Sequence, residues 1–261
     1  MFIPFSAEFA TNLKQQLADL AKGVDERFPE NLHATIKDGK LSISPIRSEQ
    51  PQAELKKLDE LITENLPEVS IIDILTDTEK WLGLHKHFGP LSGNEARIDE
   101  PEKRFITTLF CYGCNLGPVQ TAKSVKNMSR KQIAWLNLRH ASEDRLDRAI
   151  TQVVNAYNKF DLPKYWGTGK HAAADGTMWD LYEQNLLTEY HIRYGKYGGI
   201  GYYHVSDTYI ALFSHFIPCG VYEAVYILDG LMSNKSDIQP DTLHGDTQAQ
   251  SYPVFGLSHL L

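Results

Sequence analysis

The sequence predicts an α/β protein in which a mainly helical part with one small hairpin precedes a part that mixes strands and helices. Apolar residues recur at helical spacing through much of residues 7–157, which is typical of amphipathic helices that bury one face. Residues 200–217 are rich in β-branched and aromatic side chains and predict two strands joined by a tight turn at Ser206-Asp207. With 42% hydrophobic and 23% charged residues, the composition excludes wholesale disorder.

Two helices are predicted to flank a hairpin near the amino terminus. The first covers residues 7–22 and is expected to end before Gly23, and the second covers residues 51–66. Between them, Asp38-Gly39 separates two short segments of alternating polarity. Because Asp-Gly favours the positive φ angles of a two-residue turn, this pattern predicts a hairpin.

The middle of the chain is also predicted to be helical. A helix over residues 68–88 is followed by a loop rich in Gly, Pro and Asp over residues 89–101. A further helix is predicted over residues 101–113, and Ser142 is expected to cap the helix that follows it.

Strands and helices alternate in the predicted carboxy-terminal part, which begins near residue 163. The small residues before Asp175 predict a strand that ends at this aspartate. A helix is predicted over residues 221–232, a short strand over residues 242–246, and the start of another helix over residues 253–261.

Charge is distributed unevenly along the chain, although the whole sequence has a net charge of −7. Residues 103–170 contain 12 Lys and Arg but only 4 Asp and Glu, whereas the segments before and after are acidic. Because phosphate binding depends on local positive potential, the basic helices are predicted to contact DNA; a solvated surface face is the alternative interpretation. The candidate phosphate contacts on or near these helices are Arg130, Lys131, Arg139, Arg145 and Arg148.

Two aspartates form the strongest local pattern. Asp175 precedes a glycine and Asp246 follows one, and each ends a predicted strand. The intervening strands and helix could return Asp246 to the side of Asp175 in one sheet. Two carboxylates at neighbouring strand ends are suited to bind Mg²⁺ for phosphodiester chemistry, with Mn²⁺ as an alternative ion. An aspartate beside glycine is also common in turns and caps, which is the competing interpretation.

Six runs of the sequence are specific enough to suggest a family: FGPLSG at 88–93, FCYGCNLGP at 110–118, HIRYG at 191–195, YGGI at 197–200, HVSDTYI at 204–210 and HGDTQAQ at 244–250. Together they resemble the transposases of bacterial class II replicative transposons, the Tn-three family. The resemblance is dense from about residue 68 to residue 261. It implies a ribonuclease H-like fold with an Asp-Asp-Glu triad, whose first two acids fall on Asp175 and Asp246 as catalytic residues and metal ligands. Family members usually carry Ser-Ser before the first aspartate, where this chain has two alanines.

The glutamate of that triad has no counterpart in this chain. Residues 247–261 contain neither Asp nor Glu, and the resemblance implies that the family's glutamate lies beyond Leu261. Glu183, Glu189 and Glu223 precede Asp246 and are therefore in the wrong order to substitute for it. The chain is thus expected to be a fragment with little or no strand-transfer activity by itself.

Three regions are expected from these patterns. Residues 1–102 form a helical region with a small hairpin, and residues 103–162 form a basic helical region that contacts DNA. Residues 163–261 form an incomplete ribonuclease H-like catalytic domain.

Further candidates lie close to the aspartates. His244, two residues before Asp246, is expected to order water or a phosphate beside the metal ligands, although such histidines are also often structural. Arg193 and Lys196 stand among aromatic residues and would grip the DNA backbone or stack on an unpaired base, unless this glycine-rich segment is an ordinary hairpin connection.

The Cys111-x-x-Cys114 pair invites a zinc interpretation, but no second cysteine pair is present to complete four ligands. The pair is therefore predicted to be small residues at a helix end. With only three cysteines, the sequence fits a reducing cytosol.

Three functions fit the sequence. The first is a transposase, or a remnant of one, that acts in the bacterial cytoplasm at the nucleoid. Its partners would be the double-stranded inverted-repeat ends and the target DNA, and the full-length protein is expected to be a homo-oligomer. The second is a DNA-binding fragment without catalysis, and the third is an unrelated metal-dependent nuclease with the same fold. No apolar run is long enough for a membrane span, so no membrane partner is expected.

Overall fold

The computed structural model describes residues 7–44, 53–89, 97–181, 186–192 and 194–260. The chain divides into two units, Met1–Glu68 and Val69–Leu261. The first contains α1 (Ala7–Arg27), β1 (Ala34–Lys37), β2 (Lys40–Ile43) and α2 (Ala53–Asn65).

The predicted hairpin is confirmed in the first unit. Strands β1 and β2 pair antiparallel, and their turn residues Asp38 and Gly39 have φ angles of 51° and 71°. Helix α1, however, continues past Gly23 to Arg27, so the expected end at Gly23 was wrong. A glycine inside an exposed helix costs only about 1 kcal/mol, which the flanking turns can offset.

The second unit begins with helices that surround a core of their own. They are α3 (Ile71–Leu82), α4 (Pro101–Gly113), α5 (Gly117–Ser124), α6 (Arg130–His140), α7 (Glu143–Tyr157) and α8 (Pro163–Trp166). The helix predicted over residues 68–88 is interrupted at Gly83, whose φ of 63° is left-handed, and a short 3-10 helix follows. Part of the loop predicted over residues 89–101 lies outside the described residues.

Apolar side chains from the short 3-10 helix and from α4, α6 and α7 form the core of this helical part. Phe88 and Phe105 stack at its centre, and Ile133 and Leu136 pack with them. Cys111 is fully buried in the same cluster, while Cys114 is exposed. Ser142 precedes α7 as predicted, but its side chain makes no capping hydrogen bond.

A mixed sheet follows the helices. Its strands are β3 (His171–Asp180), β4 (Glu189–His191), β5 (Lys196–Ser206), β6 (Ala211–Pro218) and β7 (Thr242–Gly245). Strand β5 pairs antiparallel with β3 and β6, and β4 pairs with the first residues of β5. Strand β7 pairs parallel with β3. Helix α9 (Val225–Ser233) lies between β6 and β7 in sequence, and α10 (Tyr252–Leu260) follows β7. The chain is therefore a mixed α/β protein.

The two faces of the sheet differ in chemistry. One face packs Ala174, Ile200, Tyr202 and Ile217 against Ile227 of α9. Because side chains alternate along a strand, the neighbouring residues point to the opposite face. We call this opposite face the outer face, and it carries Asp175, Trp179, Tyr203 and Phe216.

Strand β3 does not end at Asp175, contrary to the prediction. It continues for five more residues because β5 pairs with it as far as Asp180, while its parallel neighbour β7 stops at Gly245. The helix predicted over residues 221–232 begins only at Val225. Within the described residues, no helix combines the length and the apolar character that crossing a membrane requires.

Candidate active site

Asp175 and Asp246 occupy neighbouring positions on two parallel strands. The ladder between β3 and β7 ends at the pair Ala174 and Gly245, so each aspartate is the next residue along its strand. Neighbouring strands lie about 4.8 Å apart. Leu243 packs into the core, and alternation from it turns His244 to the same face as Asp175, while Asp246 directly follows the last residue of β7. Both aspartates are exposed.

Each of the two carboxylates uses one oxygen to hold the local backbone. Oδ1 of Asp175 accepts a hydrogen bond from the backbone N–H of Gly176 at 2.8 Å. Oδ1 of Asp246 accepts from the backbone N–H of Gln248 at 2.9 Å and so caps a short 3-10 helix. Within the described parts of the chain, Oδ2 of each aspartate accepts no hydrogen bond, which leaves it able to approach a cation or ordered water.

Negative charge is concentrated around this pair. Burial raises the pKa of Glu223, and the charges of Asp246 and Asp175 raise it further, against smaller opposing effects of His191 and Gln248. Burial also raises the pKa of Tyr202, and the charges of Glu223, Asp246 and Asp175 add to the rise. A cation is the natural partner for such a concentration of carboxylates.

Glu223 is an acidic residue near this pair that sequence reasoning set aside, and it approaches β3 at Gly176, on the opposite face from Asp175. The order of residues along the chain argued against it, but its carboxylate lies so close to Gly176 that any side chain at that position would collide with it. The one signal in the sequence was the glycine that follows Asp175, because a glycine in a strand often marks a close approach.

The described residues do not form a complete metal cage. Among them, no three His, Cys, Asp or Glu side chains are arranged to hold one metal ion. The two aspartates alone fit a weakly held, largely hydrated Mg²⁺, because this ion retains its waters readily.

His244 is paired with another histidine. Its Nε2 lies 3.2 Å from Nδ1 of His171, and the two rings stack with their centroids 5.5 Å apart. A hydrogen bond between two imidazoles needs one protonated and one unprotonated nitrogen, so one ring donates to the other. His204, in contrast, is buried, with Nε2 at 2.9 Å from the carbonyl oxygen of Ile227, and burial lowers its pKa. His204 therefore fits a structural role.

Four of the five predicted phosphate contacts lie at the surface of α6 and α7. Arg130 and Lys131 lie in the first turn of α6, Arg139 lies in its last turn, and Arg148 lies on α7. All four are exposed to solvent. Their role in DNA contact remains a prediction.

Two further predicted cations, Arg145 and Lys196, contact backbone or acidic groups of the protein. Arg145 Nη1 donates to the carbonyl oxygens of Gly89 at 2.9 Å and His140 at 3.3 Å, which anchors the start of α7. Lys196 Nζ lies 3.0 Å from Oδ2 of Asp180 on the neighbouring strand. Arg193 lies outside the described residues.

Comparison with known proteins identifies the class to which this chain belongs. The family model for the Tn3 transposase DDE domain matches residues 73–261, which is most of the chain. The chain therefore belongs to the Tn3 transposase DDE domain family, and the resemblance seen in its motifs is confirmed.

Several curated relatives are similar over most of the chain. The transposase for transposon Tn1546 of Enterococcus faecium is 28% identical over 228 residues, covering 87% of this chain and 23% of the relative. The transposase for transposon Tn501 of Pseudomonas aeruginosa is 27% identical over 253 residues, covering 95% of this chain and 25% of the relative. The chain thus spans about a quarter of the length of these relatives.

Proposed function

We propose that this chain is part of a DNA transposase in which Asp175 and Asp246 hold a divalent metal ion at the phosphodiester bond to be cut. The observation that carries the proposal is the parallel ladder between β3 and β7, which makes the two aspartates neighbours. The relatives are named as transposases, which supports the same activity. The antiparallel strands β6, β5 and β3, followed by β7 parallel to β3, support an incomplete ribonuclease H-like domain.

The chemistry follows from the two carboxylates and the basic helices. A bound Mg²⁺, or Mn²⁺ in its place, would stabilise charge that develops on the phosphate and activate the attacking water or hydroxyl. Asp175 and Asp246 orient this site on a rigid pair of strands. The exposed cations of α6 and α7 hold the duplex through its phosphates without reading bases.

In the full-length protein, these steps cut the 3′ ends of the transposon at its inverted repeats and join them to target DNA. The partners are accordingly double-stranded transposon ends and target, and the full-length protein acts as a homo-oligomer. We place this activity in the bacterial cytoplasm, in association with the nucleoid.

A second candidate function is DNA binding without catalysis. It is favoured by the finding that the described residues contain no three-ligand metal group. Such a chain would lower the activity of an intact transposase by entering mixed assemblies with it.

Both candidates are tested with the purified chain, labelled duplex bearing transposon ends, and Mg²⁺ or Mn²⁺. We expect salt-sensitive binding to the duplex and no end-specific nicks. Mn²⁺ binding, followed by electron paramagnetic resonance, should be weak and should be lost in Asp175→Asn. Asp180→Asn, on the same strand, is the matched control and should leave Mn²⁺ binding unchanged.

Three results discriminate between the candidates. End-specific nicks that Asp175→Ala abolishes would show that the chain cuts DNA without a further acid. Equal Mn²⁺ binding by the wild-type chain and Asp175→Asn would overturn the metal centre. Inhibition of an intact transposase by both the wild-type chain and Asp175→Ala would establish the second candidate.

A further inference from the structure

The outer face of the sheet contains a cleft whose walls are mostly aromatic. Its volume is about 620 Å³, which is within the range of small-molecule sites. We call it the aromatic cleft. It is lined by Tyr112, Gly113, Asn115, Trp179, Asp180, Leu181, Tyr203 and Phe216.

Glycines in β5 create the floor of the aromatic cleft. A Cβ atom on Gly201 would lie 2.6 Å from Nε1 of Trp179, and a Cβ atom on Gly199 would collide with the ring of Phe216. The absence of side chains at these two positions therefore lets both rings lie close to the strand backbone. Trp179 is still 50% exposed and Phe216 42% exposed, so each ring retains surface for another molecule.

The aromatic cleft begins directly beside the candidate metal centre. Tyr203 is the cross-strand partner of Asp175, so their Cβ atoms are expected to be about 5 Å apart on the same face. Trp179 lies four residues beyond Asp175 on β3, about 13 Å along the strand. The cleft is therefore within reach of the first few nucleotides beside a phosphate bound at Asp175.

The helical part supplies the opposite wall. Tyr112, Gly113 and Asn115 come from the end of α4 and the turn after it, within the motif that contains the two cysteines. Within this motif Cys111 is buried and Cys114 is exposed. Through Tyr112, Gly113 and Asn115, the motif forms one wall of the aromatic cleft.

Charge and polarity restrict what can occupy the aromatic cleft. Asp180 is neutralised by Lys196 at 3.0 Å, so this carboxylate does not call for a cationic ligand. The remaining polar side-chain groups of the lining are uncharged: the Tyr112 and Tyr203 hydroxyls, the Asn115 amide and the Trp179 N–H. Flat apolar surfaces edged by a few hydrogen-bonding groups fit a planar heteroaromatic ring rather than a phosphate.

We propose that the aromatic cleft binds an unpaired DNA base next to the phosphate held at Asp175. The inference rests on the proposed function, because it assumes that DNA is brought to this face. A base inside a duplex is stacked between its neighbours and does not present its ring to a concave pocket. The occupant is therefore a base from a single-stranded overhang or a locally opened end, stacked on Trp179.

The experiment compares three DNAs with the unaltered chain by fluorescence anisotropy: a blunt duplex, the same duplex with a four-nucleotide overhang, and that overhang made of abasic nucleotides. We expect the overhang with bases to bind about 5- to 100-fold more tightly than the abasic overhang, which is the range for stacking a base on an aromatic ring. This comparison needs no variant and so does not depend on the folding of one.

Variants then assign the effect to the cleft. Trp179→Ala should bind both overhangs equally, while Trp179→Phe should keep most of the preference. Trp81→Ala removes an exposed tryptophan from α3 and is the matched control, which should keep the preference in full. Binding of the blunt duplex should not change in any of the three variants.

The possible failures are distinguishable. If the unaltered chain binds the overhang with bases and the abasic overhang equally and still binds the blunt duplex, the base site is overturned and the proposed function remains intact. A preference that persists in Trp179→Ala would also overturn it. Failure to bind any of the three DNAs would overturn both proposals together.

Discussion

Glu223 is an ionisable residue whose environment is shaped by the candidate active site. It lies beside Gly176 and is exposed to the negative charges of Asp175 and Asp246. Burial and these charges raise its pKa above the ordinary value of 4.5, so the folded protein holds this proton more tightly than the unfolded chain. Folding stability that depends on this group is therefore present at low pH and is lost as pH rises through the folded pKa.

Replacing Glu223 by glutamine should accordingly stabilise the metal-free protein. At pH 7 we expect a higher melting temperature for Glu223→Gln than for the wild type, because the variant removes a partly buried charge and an amide can still bond to Gln248. At a pH below 4 the two proteins should melt together, because the glutamate is then protonated in both states. Differential scanning fluorimetry in a chelating buffer measures both conditions.

A lower melting temperature of Glu223→Gln at pH 7 would contradict this account of the site. Adding Mg²⁺ provides an internal control. If a cation is held by Asp175 and Asp246, it should offset their charge and narrow the difference between wild type and variant at pH 7.

The neighbouring positions of Asp175 and Asp246 could be predicted from the sequence, but Glu223 could not. Two short strands that each lead to an aspartate predict pairing in one sheet, and the parallel ladder places them together. Glu223 precedes α9, and its approach to β3 depends on how the chain crosses from β6 to that helix. No local periodicity records such a crossing.

Among the elements, local signals were reliable where they act on the backbone directly. Asp38-Gly39 predicts the hairpin because few residues adopt positive φ angles at both turn positions. Gly23 and Asp175 predicted ends that do not occur, because the surrounding helix and the long partner strand β5 continue past them. The flanking helical turns around Gly23 and the pairing of β3 with β5 thus outweighed a weak local signal.

Capping at α6 provides a prediction at this scale. The Ser129 side chain accepts from the backbone N–H of Gln132, and the Gln132 side chain accepts from the backbone N–H of Ser129. Ser129→Ala breaks this reciprocal pair and should lower the free energy of unfolding by about 1 kcal/mol, measured by urea denaturation.

Ser142→Ala is the matched control for that prediction. Ser142 holds the equivalent position before α7, but its side chain makes no capping hydrogen bond. We therefore expect a smaller loss than for Ser129→Ala. Equal losses in the two variants would show that the capping box contributes nothing beyond the serine itself.

At the scale of the whole molecule, positive and negative charge are segregated along the chain. The basic segment 103–170 has a net charge of +8 in an otherwise acidic chain, and several of its arginines and lysines are exposed. Acidic groups meanwhile gather around Asp175 and Asp246. One part is thereby suited to hold phosphates and the other to hold a cation.

The structure distinguishes cationic side chains that bond to the backbone from those that are exposed to solvent. Arg145 and Arg148 lie three residues apart on α7 and look alike in sequence. Arg145 donates to two backbone carbonyls, whereas Arg148 is exposed. Sequence patterns place both on one helix of the basic segment, but burial of one guanidinium depends on the packing of the segment around Gly89.

This difference yields opposite expectations for two alanine variants. Arg148→Ala should leave the melting temperature unchanged and weaken duplex binding, with the slope of log K against log salt concentration reduced by about 0.9 for one lost phosphate contact. Arg145→Ala should instead lower the free energy of unfolding by about 1 to 3 kcal/mol, because two partly buried carbonyls lose a charged donor. Anisotropy titrations between about 50 and 200 mM salt and urea denaturation measure the two effects. An unchanged salt slope in a fully folded Arg148→Ala would remove α7 from the DNA-contacting surface, while a normally stable Arg145→Ala would return Arg145 to the candidates for it.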